Sequence, residues 1–454
     1  MVRPKLSGTV VRHAWLLVAS MLAGGNAWAQ GSSPAMPPAP EQASVAERVY
    51  AAAKPRLLQI RTLVATADRQ SSIGSAFLVS ADGLAITNYH VVSQYALEPP
   101  TYRLEYVAAD QARGEVQLLA IDVANDLAVV HVDFRDQPFF EFDDRALHGE
   151  VPKGERLYSM GNPLDLGFTI VEGTYNGLVD RSYNERIHFS GAINPGMSGG
   201  PAVTADGHVV GINVSKQLGG ELVSFLVPAQ FAAKLLANAR DDGLPTSHQL
   251  RAEIGRQLTV WQDGLYKSLS DAAFRTATFG PYKAPESAAP WFTCWAQTNS
   301  GQVPQPRASN NTTSCSSDTQ VFVAADLTTG GVRLSHSYLS SIDLNQFQFA
   351  AFVSQQNQLP GLTGFAWNRK WHTQQRCNED FLAGSVEEGR PPLRALWCAR
   401  AYREFEGLYD VWVMTITQDR GSEALVSRLT LQGVTYPNAI ALGKRFIEAV
   451  QWKK

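Results

Sequence analysis

Short apolar runs separated by turn residues recur along the chain from Leu57 to Leu226. Glycines or Asn-Asp pairs lie between many of them, and short strands at such spacing are typical of a β-sandwich or barrel. The predicted strands are Leu57–Val64, Ser75–Val79, Ala85–Asn88, Glu115–Asp122, Leu127–Val132, Arg156–Met160, Thr169–Val171, Arg186–Phe189, Ala202–Thr204, Val209–Val214 and Leu222–Leu226. A mainly β fold is therefore predicted for this region.

Helical patterns flank the strand-rich region. Val45 to Ala53 can form a short helix, and Val227 to Ala239 closes the region with apolar residues at helical spacing. The run Asp241-Asp242-Gly243-Leu244-Pro245 then breaks the chain, because it combines turn residues with a proline. Residues 45–243 are therefore predicted to form one domain.

Residues 244–454 have a different pattern, which predicts a separate α+β domain. A first helix is indicated by Leu250, Ile254, Leu258, Trp261, Leu265 and Leu269, with Ser247 as its cap. Five β-like runs and a last helix follow: Gln320–Ala325, Val332–Tyr338, Phe347–Val353, Arg394–Ala399, Leu408–Thr417 and Asn438–Val450. Every tryptophan after Trp28 lies in this half, as do all the cysteines, so we expect two independent domains.

The first residues have the pattern of an export signal. Basic residues precede the apolar run Ala14 to Ala23, and Ala27-Trp28-Ala29 is typical of a cleavage site. The run is about half of the roughly 20 residues that cross a bilayer, so we expect a cleaved signal peptide over 1–29 rather than a membrane anchor. Residues 30–44 have the composition of a flexible linker. The protein is expected in the periplasm or secreted, without stable membrane insertion.

The cysteines Cys294, Cys315, Cys377 and Cys398 are an even number, and disulfides persist in the oxidising compartment expected for an exported chain. Three pairings are possible. The favoured one joins Cys294 to Cys315 and Cys377 to Cys398, because each bond closes a loop of modest length. A zinc site is the alternative, but no pair has the short spacing of structural zinc sites. We predict no metal and no cofactor.

A serine lies in the glycine-rich turn Asn194-Pro195-Gly196-Met197-Ser198-Gly199-Gly200-Pro201. Its hydroxyl is a weak nucleophile unless an imidazole takes the proton and a carboxylate orients that imidazole. His90 begins a new element after an apolar strand, where a rigid scaffold can present it. Asp126 precedes the apolar run Leu127–Val132, which would partly shield its carboxylate from water. Ser198, His90 and Asp126 are the predicted catalytic residues.

Asp122 is the alternative to Asp126 as the orienting carboxylate. A turn at Ala124-Asn125, however, gives Asp122 an ordinary capping role.

Gly196 lets the backbone turn so that its amide and that of Ser198 can point at one spot, which is the geometry of an oxyanion hole.

Taken together, these motifs resemble the HtrA (Deg) branch of the trypsin-like serine proteases. The resemblance covers roughly residues 45–240 and rests on Gly74–Gly83, Thr87–Val92, Asn125–Val129, Gly161-Asn162-Pro163 and Ala192–Pro201. It implies a chymotrypsin-like double β-barrel with the triad in the cleft between barrels. His90 and Asp126 would come from the first barrel, and Ser198 with the oxyanion amides from the second.

The family layout also implies a specificity pocket with its base near Ala192 and with Gly211 and Asn213 along one wall. None of these residues is charged, so we expect cleavage after small or medium apolar residues. Met197 stands where the family usually has Asn and digestive relatives have Asp. Because methionine cannot pair with a new N-terminal ammonium, no activating cut beyond signal removal is expected.

Two functions stay open at this point. The first is an exported serine endopeptidase acting on unfolded polypeptides, with the second half as a regulatory, docking or oligomerisation module. The second is a protease-fold binding or chaperone protein whose C-terminal half recognises a partner. The complete triad favours the first. The family usually carries a PDZ domain, but only a turn at Gly361–Phe365 is faintly similar to one. The formal net charge of −3 gives no indication of the basic surface that binds nucleic acid. The sequence does not determine the oligomeric state.

Overall fold

The computed structural model describes residues 43–216, 222–239, 247–287, 289–356 and 369–453. The predicted signal peptide, the linker up to residue 42, the chain break and the PDZ-like turn lie outside the described residues, as does the side chain of the predicted cap Ser247. By its contacts, Ser44–Lys454 forms one compact unit. In the described part of the chain, no helix has the length and apolarity needed to cross a membrane.

Two closed six-stranded barrels form the first half of this unit. The first barrel consists of β1 (Leu57–Val64), β2 (Arg69–Leu78), β3 (Leu84–Thr87), β4 (Tyr102–Ala108), β5 (Arg113–Asp122) and β6 (Leu127–Val132). The second consists of β7 (Arg156–Gly161), β8 (Thr169–Leu178), β9 (Ile187–Phe189), β10 (Pro201–Val203), β11 (Val209–Lys216) and β12 (Ser224–Pro228). The strand orders are β1-β2-β3-β6-β5-β4 and β10-β11-β12-β9-β8-β7. The mainly β, double-barrel prediction is confirmed.

Helices lie around and between the barrels: α1 (Val45–Ala53), α2 (Tyr89–Leu97), α3 (Asp144–Leu147) and α4 (Ala229–Ala239), with short 3-10 turns at Lys54–Arg56 and Pro163–Asp165. Ser44 caps α1 by accepting a hydrogen bond from the Glu47 amide at 3.1 Å. The helices predicted before and after the strand-rich region are both present.

The two faces of the first barrel's strands belong to different buried cores. Leu57 of β1 packs in a core that continues into the second barrel, where it includes Ile212. The next residue, Leu58, packs in a core that also contains Ile254 and Val323 of the C-terminal half. Since successive side chains point to opposite faces of a strand, the first barrel is packed against both other parts of the unit.

The C-terminal half is β-rich. Its elements are α5 (Ser247–Asp271), β13 (Arg275–Phe279), β14 (Tyr282–Ser287), β15 (Phe292–Thr298), β16 (Ala308–Ser317), β17 (Val321–Ala324), β18 (Leu327–Thr329), β19 (Val332–Ser341), α6 (Gln346–Gln356), β20 (Arg376–Leu382), β21 (Leu393–Ala401), β22 (Leu408–Thr417), β23 (Glu423–Thr435), α7 (Tyr436–Glu448) and β24 (Gln451–Trp452). Seven strands form a sheet of order β15-β16-β19-β23-β22-β21-β20. Leu265 of α5 and Phe446 of α7 pack against Leu429 of β23 in one buried cluster.

The strand predicted at Phe347–Val353 is wrong, because these residues lie within helix α6. Asn345 and Gln348 exchange hydrogen bonds, each side chain accepting from the other's amide at 3.1 Å or less, as in a capping box. Phe349 and Phe352 then pack at helical spacing against the β22–β23 face. Phe347, in the first turn of this helix, is 88% exposed.

Several strands of the sheet were not predicted, β16 and β23 among them. Between Ala308 and Ser317, β16 is made mostly of Ser, Thr and Asn, so it lacks an apolar alternation. It forms nonetheless, because β15 pairs with it on one side and β19 on the other. Strand pairing supplies the order that the local pattern lacks.

Whether the chain divides at 243/244, as the composition indicates, stays a prediction. In the structure, Leu250 and Ile254 of α5 share a buried core with Tyr89 and Val92 of α2. The Arg251 guanidinium also donates to the carbonyl of Leu97 at 2.6 Å. The C-terminal half is therefore in extensive apolar contact with the first barrel.

The favoured cysteine pairing is confirmed. Cys294 bonds to Cys315 between β15 and β16, and Cys377 bonds to Cys398 between β20 and β21. Both bonds lie at an outer strand pair of the seven-stranded sheet, where they lock the register of its edges.

We expect the loss of either disulfide to destabilise the C-terminal half. Each bond joins residues 21 positions apart, and closing a loop of that size is worth about 3 kcal/mol through the unfolded state. Urea unfolding should show this loss in a Cys294→Ala/Cys315→Ala variant. The matched Cys377→Ala/Cys398→Ala variant should lose a similar amount, and an unchanged unfolding midpoint in both would contradict the prediction.

Candidate active site

His90 lies in the first turn of α2, directly after the buried strand β3. Asn88 is fully buried, and its side-chain amide donates to the Asp126 carbonyl at 2.7 Å. This hydrogen bond ties the start of α2 to the loop between β5 and β6, on which Asp126 lies. The backbone at His90 is thereby fixed relative to Asp126.

The Asp126 carboxylate contacts His90 through both oxygens. Oδ1 accepts a hydrogen bond from the His90 backbone amide at 2.8 Å, and Oδ2 lies 2.7 Å from Nδ1. Asp126 is only 8% exposed and has a φ of +62°, a conformation that Asp adopts more readily than most residues. With the Nδ1–H bound to carboxylate, the neutral imidazole presents Nε2 as a base.

Asp122, the rival candidate, has the capping role expected of it. Its carboxylate accepts hydrogen bonds from the Asn125 backbone amide at 3.0 Å and from the Asn125 side chain at 2.8 Å. These contacts shape the turn that carries Asp126. The structure therefore brings Asp126, and not Asp122, to the imidazole of His90.

Burial and charge act in opposite directions on His90. Burial lowers the pKa of the imidazole, but the Asp126 carboxylate raises it by its charge and its hydrogen bond, and the net pKa lies above the ordinary value of 6.5. The side chain of His90 is 27% exposed. The imidazole is therefore reachable from solvent and neutral only above this raised pKa.

Ser198 lies in the turn before β10, and the first barrel holds this turn. The Ser75 amide donates to the Ser198 carbonyl at 2.7 Å. Gly199 has a φ of +86°, and a Cβ atom there would lie 2.2 Å from the Ser75 carbonyl oxygen and 2.9 Å from the Asn88 amide nitrogen. Only glycine fits, so the Ser198 turn can approach the segment that precedes His90.

The hydroxyl of Ser198 donates to the Val214 carbonyl at 3.3 Å. Across the described ranges, no hydrogen bond joins this hydroxyl to His90. Catalytic hydrogen bonds of free enzymes are often long or misaligned and tighten when substrate binds. The structure thus places the serine turn beside the His90–Asp126 pair with the hydroxyl turned to another acceptor.

The backbone at Gly196 adopts a conformation that only glycine fits. Its φ is +94°, and a Cβ atom there would lie 2.4 Å from the Asn162 carbonyl oxygen. Ser75 Oγ donates to the Gly196 carbonyl at 2.7 Å and accepts from the Asn162 amide at 2.9 Å. Within the described residues, the amides of Gly196 and Ser198 donate to no protein acceptor. The assignment of these two amides to an oxyanion hole stays a prediction.

Met197 is fully buried in the core shared by the two barrels. A Cβ atom on Gly161 would lie 2.7 Å from the Met197 Cα, so the turn is packed tightly against β7. Met197 therefore fills the interior behind the serine turn with an apolar side chain.

The predicted pocket residues have different surroundings. Ala192 is exposed, whereas a Cβ atom on Gly211 would meet Leu226 at 3.0 Å. Asn213 is fully buried, and its amide donates to the carbonyls of Met160 and Met197 and accepts from Ser159. Asn213 thereby braces the serine turn against β7. The assignment of these residues to a specificity pocket stays a prediction.

One residue that the sequence did not indicate borders this site. The ring centroid of Phe322 lies 5.9 Å from that of His90, nearly edge to face. This contact depends on packing between distant parts of the chain, so no local motif could have revealed it. Burial lowers the pKa of the Arg186 guanidinium, while the negative charges of Asp126 and Asp318 oppose this. No group of three or more His, Cys, Asp or Glu side chains suited to a metal ion occurs in the part of the chain that the structure describes.

Two closed six-stranded barrels, with a His–Asp pair on the first and a serine in a glycine turn of the second, define the fold of trypsin-like serine proteases. Residues 74–212 match the family model described as "Trypsin-like peptidase domain". The resemblance to HtrA (Deg) proteases that the motifs predicted is confirmed for this part of the chain.

The chain is 32% identical over 184 residues to a "Probable periplasmic serine endoprotease DegP-like" of Marinomonas sp. and 33% identical over 179 residues to a protein of the same description from Hahella chejuensis. Each match covers 38% of this chain, and 37% and 36% of the two relatives. The chain thus spans well under half of their length. Among solved structures, a serine endoprotease from Yersinia pestis is 23% identical, with 45% of this chain and 70% of that chain covered and a TM-score of 0.39.

Proposed function

We propose that residues 45–243 act as a serine endopeptidase that cleaves polypeptides through an acyl-enzyme. The main support is the two-point contact of the Asp126 carboxylate with His90, beside the Ser198 turn. Ser198 Oγ is the nucleophile, His90 Nε2 is the base, and Asp126 holds the imidazole in the required tautomer. The amides of Gly196 and Ser198 bind the oxyanion.

In the first half of the reaction, Nε2 takes the hydroxyl proton while Oγ attacks the carbonyl carbon of the substrate. Asp126 stabilises the imidazolium that forms, and the two turn amides stabilise the negative oxygen. The carbon–nitrogen bond then breaks, and Nε2 gives the proton to the leaving amine. Water, activated in the same way by His90, hydrolyses the ester and restores Ser198.

We further propose that the substrates are unfolded polypeptides cut after small or medium apolar residues. Ala192, Gly211 and Asn213 carry no charge, which supports this preference. The relatives named above are described as periplasmic, and we propose export of this chain, with removal of residues 1–29. The apolar burial of Met197 supports activity without a further activating cut.

The second candidate is a protease-fold binding or chaperone protein in which cleavage is minor. One observation favours it, namely that the Ser198 hydroxyl is bound to the Val214 carbonyl and not to His90. A fluorophosphonate probe separates the two functions, because it reacts only with a serine whose hydroxyl is activated by a base. We expect the mature protein to be labelled, and no labelling of folded protein would favour the binding function.

We expect the acid limb of the pH–activity profile to have its midpoint above pH 6.5. His90 must be neutral to accept the serine proton. The charge and the hydrogen bond of Asp126 raise the pKa of His90, so the imidazole loses its proton only at a higher pH. The profile of kcat/KM against pH should therefore have its acid limb above the ordinary histidine value. A limb below pH 6.5 would show that the imidazole lacks this stabilisation in the free enzyme.

A further inference from the structure

The hairpin formed by β17 and β18 of the C-terminal half lies against the helix that carries His90. The Tyr89 hydroxyl donates to the Val323 carbonyl at 2.9 Å. The Phe322 ring lies edge-on to both neighbouring rings, with centroids 6.3 Å from Tyr89 and 5.9 Å from His90. Such edge-to-face pairs are favourable aromatic arrangements. A residue of the second half is thus in ring contact with the predicted catalytic base.

The hairpin is held in this position from behind by apolar packing. Val321, Val323 and Leu327 are buried in the same core as Leu250 and Ile254 of α5. The backbone that carries Phe322 therefore has a fixed place relative to His90.

A polar network anchors the far end of the hairpin. The Thr329 hydroxyl lies 2.9 Å from the Tyr402 hydroxyl, which donates to Asp410 Oδ1 at 2.8 Å. Arg400 donates to the other oxygen of Asp410 at 2.7 Å, and both residues are buried. Buried hydrogen bonds of this kind restrain the segment that they join.

The hairpin contacts His90 but leaves part of the imidazole exposed to solvent. The imidazole keeps 27% of its side-chain surface exposed, and Phe322 itself is only partly buried. A ring that is fixed on one side and open on the other can contact a further apolar group. Phe322 therefore has the surroundings of a residue that lines a subsite and does not block access to His90.

The position of Phe322 relative to a bound peptide depends on the elements nearby. The Val214 carbonyl lies 3.3 Å from Ser198 Oγ, and in the described residues β10 pairs with β11 only as far as Ile212. The edge of β11 at Val214 is thus open to an extended peptide. Under the proposed function, we take the side chain that precedes the attacked carbonyl to be the one that reaches the His90–Phe322 pair.

The C-terminal half also borders the loop on that side of the imidazole. Gln257 of α5 accepts a hydrogen bond from the Val123 amide at 2.8 Å and donates to the Ile121 carbonyl at 2.7 Å. Val123 lies three residues before Asp126. Helix α5 is therefore bonded to the loop that carries Asp126.

We propose that Phe322 forms, with His90, the apolar wall of a subsite for the P2 side chain, the residue just before the one whose carbonyl is attacked (P1). This inference rests on the proposed function. It makes the C-terminal half a part of the substrate cleft, which takes a large apolar side chain at P2.

The test compares Phe322→Ala, Phe322→Leu and the control Phe347→Ala, whose ring is 88% exposed on α6, using peptides that differ only at P2. For a peptide with Leu or Phe at P2, kcat/KM should fall about 10-fold in Phe322→Ala, the size of effect expected for lost apolar contact in a pocket. Peptides with Gly at P2 should be unaffected. Phe322→Leu should recover part of the loss, and Phe347→Ala should behave as the original protein does.

Labelling by a small fluorophosphonate, which has no P2 side chain, separates the outcomes. If all variants are labelled at the original rate and only the P2 preference changes, the inference holds. An unchanged P2 profile in Phe322→Ala, or an equal loss for every peptide including Gly at P2, overturns it while leaving the endopeptidase intact. Failure of the original protein to label or cleave overturns the proposed function instead.

Discussion

Replacing Ser198 with alanine should lower kcat/KM by at least about 10⁴-fold and abolish fluorophosphonate labelling. The variant lacks the group that we propose carries the acyl intermediate, and triad members act as a unit. Its fold should be unaffected, because the Ser198 side chain makes one hydrogen bond, to the Val214 carbonyl, while its backbone holds the turn to Ser75. Residual cleavage would come from the oxyanion amides and substrate binding alone.

The matched control is Ser71→Ala, an exposed serine on β2. It should keep full labelling and peptidase activity. Both variants should unfold at the same urea concentration as the original protein. Equal labelling in Ser198→Ala would mean that another residue reacts, which would remove Ser198 from the proposed role.

Changing Asp126 to asparagine should lower kcat by about 10⁴-fold. The asparagine oxygen can still accept one hydrogen bond from His90, but the side-chain amide is a donor and favours the imidazole tautomer with its proton on Nε2. That nitrogen can then no longer take the serine proton. Loss of the carboxylate charge should also move the acid limb of the pH profile to lower pH, because this charge raises the pKa of His90.

The matched control for this change is the variant Asp122→Asn. In Asp122→Asn, the side-chain oxygen can keep its hydrogen bond to the Asn125 amide, so we expect a stability loss of less than about 1 kcal/mol. Peptidase activity should stay near that of the original protein. A larger loss of kcat in Asp122→Asn than in Asp126→Asn would reverse the assignment of the orienting carboxylate.

Short apolar strands separated by turn residues predicted a β-sandwich or barrel, and the double barrel was implied by the resemblance of the motifs to HtrA (Deg) proteases. His90, Asp126 and Ser198 could be singled out because each stands in a local setting that suits its chemistry. The structure brings His90 and Asp126 into contact at 2.7 Å and places the glycine turn of Ser198 next to them. The disulfide partners were predictable for a related reason, since short loops favour neighbouring cysteines.

The C-terminal half was harder to predict because local pattern and final structure disagree there. The polar strand β16 is ordered by its partners on both sides, and the short apolar run Phe347–Val353 that was predicted as a strand lies in helix α6. A capping pair and a buried face at Phe349 and Phe352 selected the helix. Such a choice depends on neighbours that are distant in sequence.

The sequence alone determined the mainly β class of the first half, the candidate catalytic residues and the disulfide partners, because turn residues, strand period and loop length act over a few positions. The double barrel was implied by the resemblance of its motifs to HtrA (Deg) proteases. Only the tertiary structure decided that the C-terminal half packs on the first barrel and that Phe322 lies beside His90. These contacts arise from one apolar core built from residues far apart in the chain, including Tyr89, Ile254 and Val323. No local periodicity encodes which of the apolar surfaces will meet.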